Sequence, residues 1–431
     1  MGSLFSLVLL GSAVPASGTQ PDMRPPAGTV LDNFAYVGHA GLDGFGDYGD
    51  LYAHGNFAYV GSRCAAAHQG GDGVQVVDIA NPRRPRLVSK LPNPSFTRAE
   101  DVTVLDVHTP SFTGTLAVVG IQACFGSGHE QEVVPGVRLF DVTDAAHPAL
   151  LGHWDLPQGT VGCHEIDAVQ RADGKVLIAC ARNLVDHRRS NGATALHLID
   201  ATSPASPQKL TDWSLNLNPD QGVGCSAVQF AHSARFEDGG NSVYVSYWDA
   251  GTVHLDIAQP ATPVVVSDTK ITPPDEDGDN HSMTLANNGK WLIINTEDTS
   301  PEDCQGESAY GGWGEVHVYD NTNPQRPSFL GTFSTADSRS TRTDGEFTDH
   351  NTEVARNGQF FSSWYSGGIV WWTMTEHGVS AQRGQFVPPP PGNGSPPSVW
   401  GVFVDRTHNV ILASDMQSGL WIVKPDKLGT L

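Results

Sequence analysis

Positive charge is scarce in this 431-residue chain: 25 Lys and Arg face 47 Asp and Glu, a formal net charge of −22. Such a surface repels phosphate backbones and anionic headgroups, which argues against nucleic acid and anionic membranes as partners. Long apolar runs are lacking as well. Residues 4–10 form an apolar stretch too short to cross a bilayer, and no Lys or Arg precedes it. Val14 and Ala16 behind it suit the positions three and one before a signal-peptidase cut. Residues 1–18 are therefore expected to be a signal peptide. The remainder, 19–431, is expected to be secreted, periplasmic or displayed at the cell surface, with no membrane span. No Ser/Gly linker divides the middle of the chain, so that remainder is expected to be one domain. Residues 388–397, proline-rich, read as an extended connection. No Gly-rich phosphate loop, Ser-His-Asp order or helical zinc-protease motif occurs, and no organic cofactor is indicated. The acidic stretch Asp275-Glu-Asp-Gly-Asp-Asn280 lacks the ligand order and distal Glu of a calcium loop and reads as a solvated connection.

Against these absences stands a repeat. Asp78, Asp141, Asp200, Asp256 and Asp320 each end a short apolar run, and four of the five continue as Asp-x3-Pro-x2-Pro. The second copy has Ala145 in place of the first proline. An Asp side chain can accept a turn N–H, and proline presets the turn and ends the ladder, so each copy reads as strand, turn, strand. Degenerate copies follow at Gly368-Ile-Val-Trp-Trp and Gly419-Leu-Trp-Ile-Val. Seven copies predict an all-β, seven-bladed β-propeller. The blades fall near residues 47–91, 99–156, 163–215, 225–271, 280–334, 349–387 and 398–425. The last has three strands, and residues 29–41 are expected to supply its fourth and close the ring.

Histidine recurs at one position of the repeat. His164, His232, His281 and His350 each open a segment that runs to a glycine turn, and His281-to-Gly289 and His350-to-Gly358 share one spacing. If these segments are equivalent innermost strands, the four imidazoles face one axis. Imidazole is the commonest metal-binding side chain, so a metal site at the channel mouth follows. Nitrogen donors without obvious thiolate favour copper, with zinc the main rival. Glu165, Asp279, Asn280 and Asp349 adjoin the proposed ligands and are expected to hold their second N–H groups. The connections between strands two and three are long in blades one, two, three and five, and carry His68, His129, Asp186, His187, Glu297 and Asp298 to the same face. Trp248, Trp364 and Trp400 are expected to line a pocket there for a small, partly apolar ligand.

The Asp-Pro-Pro repeats resemble the LVIVD-repeat family of bacterial propellers over nearly the whole mature chain, which implies the fold and little about chemistry. The segment Asn241-Ser-Val-Tyr-Val-Ser-Tyr-Trp-Asp-Ala-Gly-Thr-Val-His-Leu-Asp-Ile257 is similar to one in the selenium-binding protein and methanethiol oxidase family. That family is also a propeller, and its histidines are associated with copper; its N-terminal cysteine motif is missing here. The resemblance implies a copper site and, as one reading, an oxidase of a small substrate such as a thiol. The other reading is a non-catalytic surface protein binding protein or glycan partners at the loop-rich face. Six cysteines in an exported chain suggest disulfides. Cys64 and Cys124 occupy similar places in neighbouring blades, and Cys163 and Cys225 each follow a Val-Gly pair, which suggests the pairings Cys64–Cys124 and Cys163–Cys225.

Overall fold

The computed structural model describes residues 24–431 apart from 45, 65–69, 125, 184–194, 216–228, 272–277, 300–311, 357 and 376–377. The repeat turns form as their chemistry requires. In all five, the Asp carboxylate accepts the backbone N–H two residues on: Ala80 on Asp78 (3.0 Å), Thr143 on Asp141 (2.9 Å), Thr202 on Asp200 (2.9 Å), Ala258 on Asp256 (2.8 Å) and Thr322 on Asp320 (2.9 Å). Each turn joins the third and fourth strands of one sheet.

Seven antiparallel sheets result. Their first strands are Tyr48–His54, Val102–His108, Ile166–Gln170, Ser233–Glu237, Asn280–Ala286, Thr352–Arg356 and Val399–Asp405. Each touches the next all the way round, blade seven meeting blade one, so the chain is a seven-bladed β-propeller. As expected, an N-terminal strand closes it: Phe34–Ala40 pairs with Gly419–Pro425 of blade seven. A further strand, Val30–Asp32, adds to the outer edge of blade six at Gly378–Val387 and was not anticipated. The described residues include one 3₁₀ turn at Asp238–Gly240 and no helix long and apolar enough to cross a membrane.

Two devices lock neighbouring blades. Apolar faces interleave, as where Leu177, Ala179 and Leu198 of blade three meet Phe236, Val243 and Val253 of blade four. The turns also dock on the preceding blade. An added Cβ on Gly38 would lie 2.1 Å from the Pro82 carbonyl oxygen, and one on Gly152 would lie 2.4 Å from that of Pro204. The hydroxyl of Ser89 donates to the equivalent carbonyl of Ala145 at 2.6 Å. The repeated turn is therefore a fastener, and the outer strand it meets carries glycine or a small donor.

Disulfides join Cys64 to Cys124 and Cys163 to Cys180. The second corrects the expected Cys163–Cys225 pairing. Cys180 lies opposite Ile166 in the register of blade three, so the chain just before that strand delivers Cys163 to it inside one blade. Cys225 and Cys304 lie outside the described residues, as do residues 1–18, His68, Asp186 and His187.

Candidate metal centre

The start of each innermost strand is pinned to the end of the strand beside it. The backbone N–H of His164 donates to the Ala181 carbonyl (2.8 Å), that of His232 to Ser246 (2.8 Å) and that of His350 to Ser363 (3.0 Å). His281 sits at a bulge between Asn280 and Ser282 of its strand. Four blades thus present the same imidazole at the same height. The rings stand in a row, with centroids 4.3 Å apart for His164 and His232, 4.1 Å for His232 and His281, and 4.0 Å for His281 and His350. His281 and His350 are fully buried, and the other two nearly so.

Donor atoms converge within this row. Nε2 of His164 lies 2.9 Å from Nε2 of His232. Oε1 of Glu165 lies 3.4 Å from Nδ1 of His232 and 3.7 Å from Nε2 of His281, and Oε2 of Glu297 lies 3.7 Å from that same Nε2. Two overlapping groups could each hold an ion, His164–Glu165–His232 and His232–His281–Glu297. Two donors about 2.0–2.1 Å from one ion stand roughly 2.9 Å apart at a right angle and roughly 3.4 Å apart at a tetrahedral angle. The observed spacings fall close to that range. His350 belongs to neither group. Nδ1 of His232 and both nitrogens of His281 and of His350 make no well-formed hydrogen bond among the described residues, and one nitrogen of each ring lies against the backbone of the next residue in the row, His281, His350 and Trp400 in turn. Each neutral ring keeps one nitrogen with a lone pair, which fits a transition-metal ion.

The electrostatics fit as well. Burial, then the neighbouring imidazole and arginine charges, hold His164 well below the ordinary imidazole range. Burial brings His232 down to about 3, with the Arg98 charge adding to it. His281 and His350 are likewise held well down, first by burial. All four are neutral at physiological pH, the form that ligates. Glu165 is pushed well up by burial and then by Asp101 and Asp50, and Glu297 rises to about 7, chiefly by burial. Arg63 acts on Glu297 but burial outweighs it, and a cation in the row would add the counter-charge that both carboxylates are short of.

The supporting residues only partly match expectation. Glu165 does not orient His164; it reaches across to the imidazoles of the next two blades. Asn280 accepts from Thr252 (3.0 Å), Asp349 from the Asn295 amide, and the Asp279 backbone N–H is bound by Asp249 (3.2 Å). The Asn280 and Asp349 contacts reach back to a neighbouring strand, because successive side chains in a strand point to opposite faces. His164 is oriented instead by the Gln122 Oε1 atom, 3.0 Å from its Nδ1, with Arg98 at 3.3 Å. An Nδ1–H donated to Gln122 cannot also accept from Arg98, and in that tautomer Nε2 presents its lone pair toward Nε2 of His232.

Aromatic rings meet the row at His232 and at its His350 end. Trp248 stacks on His232 (5.3 Å) and Trp400 tilts against His350 (4.4 Å). Trp364 departs from its expected place. It is buried between blades five and six, edge-on to Phe333. Its neighbour Tyr365 takes the mouth position instead, 5.2 Å from His350, with its hydroxyl on Glu297. His129 stacks on Phe96 and bonds Glu132, away from the imidazole row among the described residues.

Comparison with known proteins adds fold and one repeat. The sequence pattern of the LVIVD repeat matches residues 45–91, which is blade one. No curated protein matches the chain. Among solved structures, a Bacteroides uniformis protein whose name proposes a 6-phosphogluconolactonase is similar at TM-score 0.56 and 12% identity, covering 84% of this chain and 90% of that one. The Cps50 (Swd1) β-propeller domain of Myceliophteria thermophila is similar at TM-score 0.52 and 12% identity, covering 92% of this chain and 98% of that one. At such identity the likeness concerns the fold.

Proposed function

We propose that this propeller is an exported metalloprotein whose channel mouth holds one transition-metal ion, copper, through the row His164, His232, His281 and His350, with Glu165 and Glu297 as carboxylate donors. The observation that carries this reading is the convergence of buried imidazole nitrogens with the Glu165 and Glu297 carboxylates at close to ligand spacing. Four imidazoles without thiolate suit copper, with zinc as the competitor. The likeness of residues 241–257 to the methanethiol oxidase family points the same way. Two disulfides suit an oxidising compartment.

Bound copper would supply one-electron redox chemistry with dioxygen, and the reaction proposed is oxidation of a small substrate, a short thiol being the first to try. The protein's own residues do the rest. Gln122 fixes the ring of His164, Tyr365 holds Glu297 against His281, and Trp248, Trp400 and Tyr365 wall the mouth and give an apolar body a surface to lie on. The two groups of two histidines and one glutamate are also a donor set that iron accepts, so metal identity is the first measurement. Elemental analysis and electron paramagnetic resonance on protein purified without chelator should find about one copper per chain. Alanine at His232 and His281 should abolish it. A protein without stoichiometric metal after incubation with copper, zinc and iron would refute the site. Bound zinc without redox activity would keep the site and remove the oxidase.

A further inference from the structure

Blade three differs from the other three histidine blades in two ways. The residue after its histidine is Glu165, where the others have Ser233, Ser282 and Asn351. The residue before it is Cys163, bridged to Cys180 on the second strand of the same blade. Blade three thus supplies two consecutive donors, with a covalent tie beside them. In blades five and six, Asn280 and Asp349 precede the histidine and are held by hydrogen bonds from Thr252 and Asn295. In blade four that place is Ala231, which has no polar group to hold.

Consecutive side chains of a strand ordinarily point to opposite faces. His164 and Glu165 reach one donor group because they share one partner. The N–H of His164 donates to the Ala181 carbonyl (2.8 Å), and the Glu165 carbonyl accepts from the Ala181 N–H (2.9 Å). Two residues opposite one make a β-bulge, which re-aims a side chain. Regular pairing resumes with Ile166 opposite Cys180. The bulge leaves Glu165 3.4 Å from Nδ1 of His232 and 3.7 Å from Nε2 of His281, in one donor group with His164 and His232. An extra residue can be taken up one step earlier or later, and a one-residue slip turns each side chain to the other face. The place of Cys163 opposes that slip. Its sulfur is tied to Cys180, and both are buried in the core between blades two and three.

We infer that Cys163 and Cys180 are positioning residues of the metal centre: their bridge fixes the bulge that holds the Glu165 carboxylate beside the imidazoles. This role rests on the metal-site reading. Packing alone does not call for a bridge here. Blade four fills the equivalent places with Ala231 and Val245 and still presents His232 at the same height. Blade four has no carboxylate to place.

The experiment replaces the bridge with the pair native to blade four, Cys163→Ala with Cys180→Val, in the wild type and in Glu165→Gln. Copper(II) affinity is measured on all four full chains by competition with a chelator, with electron paramagnetic resonance on the loaded samples. Breaking the bridge in the wild type should weaken copper binding by about 10- to 100-fold, the range for losing a support of a metal ligand, and should alter the copper spectrum. In Glu165→Gln no carboxylate is left to place, so the same pair should change affinity by less than about twofold. Equal losses in both backgrounds would make the bridge a general stabiliser and overturn the inference. Wild-type affinity and spectrum in the bridge-free protein would overturn it too. So would a failure to fold both of this pair and of Cys163→Ser with Cys180→Ser, since the bridge would then serve the fold. A wild type that takes up no copper(II) ends the copper reading and this role with it, an outcome distinct from copper bound equally with and without the bridge.

Discussion

Replacing Gly38 with alanine tests whether the docked turns hold the ring shut. Gly38 lies on the N-terminal strand that completes blade seven, at a bulge beside Tyr36. Its missing side chain makes room for blade one: an added Cβ would sit 2.1 Å from the Pro82 carbonyl oxygen and 3.2 Å from the Pro85 ring. The first neighbour is backbone and cannot rotate away, so the two blades must part by about 1 Å. Overpacking of this kind costs about 1–3 kcal/mol. That cost falls on a strand held by one partner, so it should appear as local opening. With tenfold per 1.4 kcal/mol, the open fraction should rise roughly 5- to 150-fold. Hydrogen exchange read by mass spectrometry should show that acceleration in residues 34–40 and in 419–425, with blades three to five unchanged. Gly41→Ala is the control, since a Cβ there meets nothing closer than 3.8 Å. Gly38→Ala exchanging like the control would refute the account of the Asp-Pro-Pro turn as a fastener.

Three further outcomes are expected. Asp50 is raised to about 7, first by burial, so the folded state binds its proton more tightly than the unfolded state does, and stability falls as pH rises from about 4 through 7. Asp50→Asn removes that dependence. Melting temperatures of variant and wild type between pH 4 and 8 should therefore diverge in the variant's favour as pH rises, and parallel curves would contradict the sign. The Cys64–Cys124 bridge, spanning 60 residues, should contribute about 4 kcal/mol by the chain-entropy estimate. Cys64→Ser with Cys124→Ser should lower the denaturant midpoint accordingly, and an unchanged midpoint would show that the bridge does not constrain the unfolded chain. Copper at about a thousandfold over its dissociation constant should stabilise the protein by about 4 kcal/mol, readable as a higher melting temperature that chelator reverses. Equal melting with copper and with chelator would count against the centre.

The fold was legible because its fasteners are written locally. An Asp that accepts the N–H two residues on, followed by proline, needs no distant partner to form its turn, and five such turns with two degenerate strand copies count the blades. The histidine row was legible for the same reason, since residues at one register position in equivalent strands come to one height. What failed depended on side-chain direction or on pairs across the ring. Glu165 adjoins His164 in sequence but serves His232 and His281, a matter of strand alternation between blades. Tyr365 had a signal that went unused. Tyr247-Trp248-Asp-Ala-Gly251 and Trp364-Tyr365-Ser-Gly-Gly368 are equivalent in the repeat, so Trp248 aligns with Tyr365 and Trp364 with the buried Tyr247. Trp248 and Tyr365 share a left-handed backbone, φ 44° and 41°, which aims both at the mouth. The bridge from Cys163 to Cys180 was missed because the repeat suggested pairing across blades, whereas register brings these two together within one.

The two faces of the ring divide the energetic labour. At one face the turns satisfy their own backbone and clamp the next blade, so that end of the propeller is over-determined. At the mouth the balance is reversed. His232, His281 and His350 each bury an imidazole nitrogen that makes no well-formed hydrogen bond among the described residues. Each buried polar atom left so costs about 1–3 kcal/mol, and one on each of three rings is already a large share of the margin of about 5–15 kcal/mol by which a typical domain stays folded. Glu165 and Glu297 add to the strain by being forced toward their neutral forms among those rings. Packing alone would favour apolar residues at these four positions, as it does at Trp400 in blade seven. A single cation eases both penalties together, since it takes one lone pair from each ring it touches and restores the carboxylate charge. The clamped face can hold the imidazoles at ligand spacing against their own preference for water, and a loosely built ring could not.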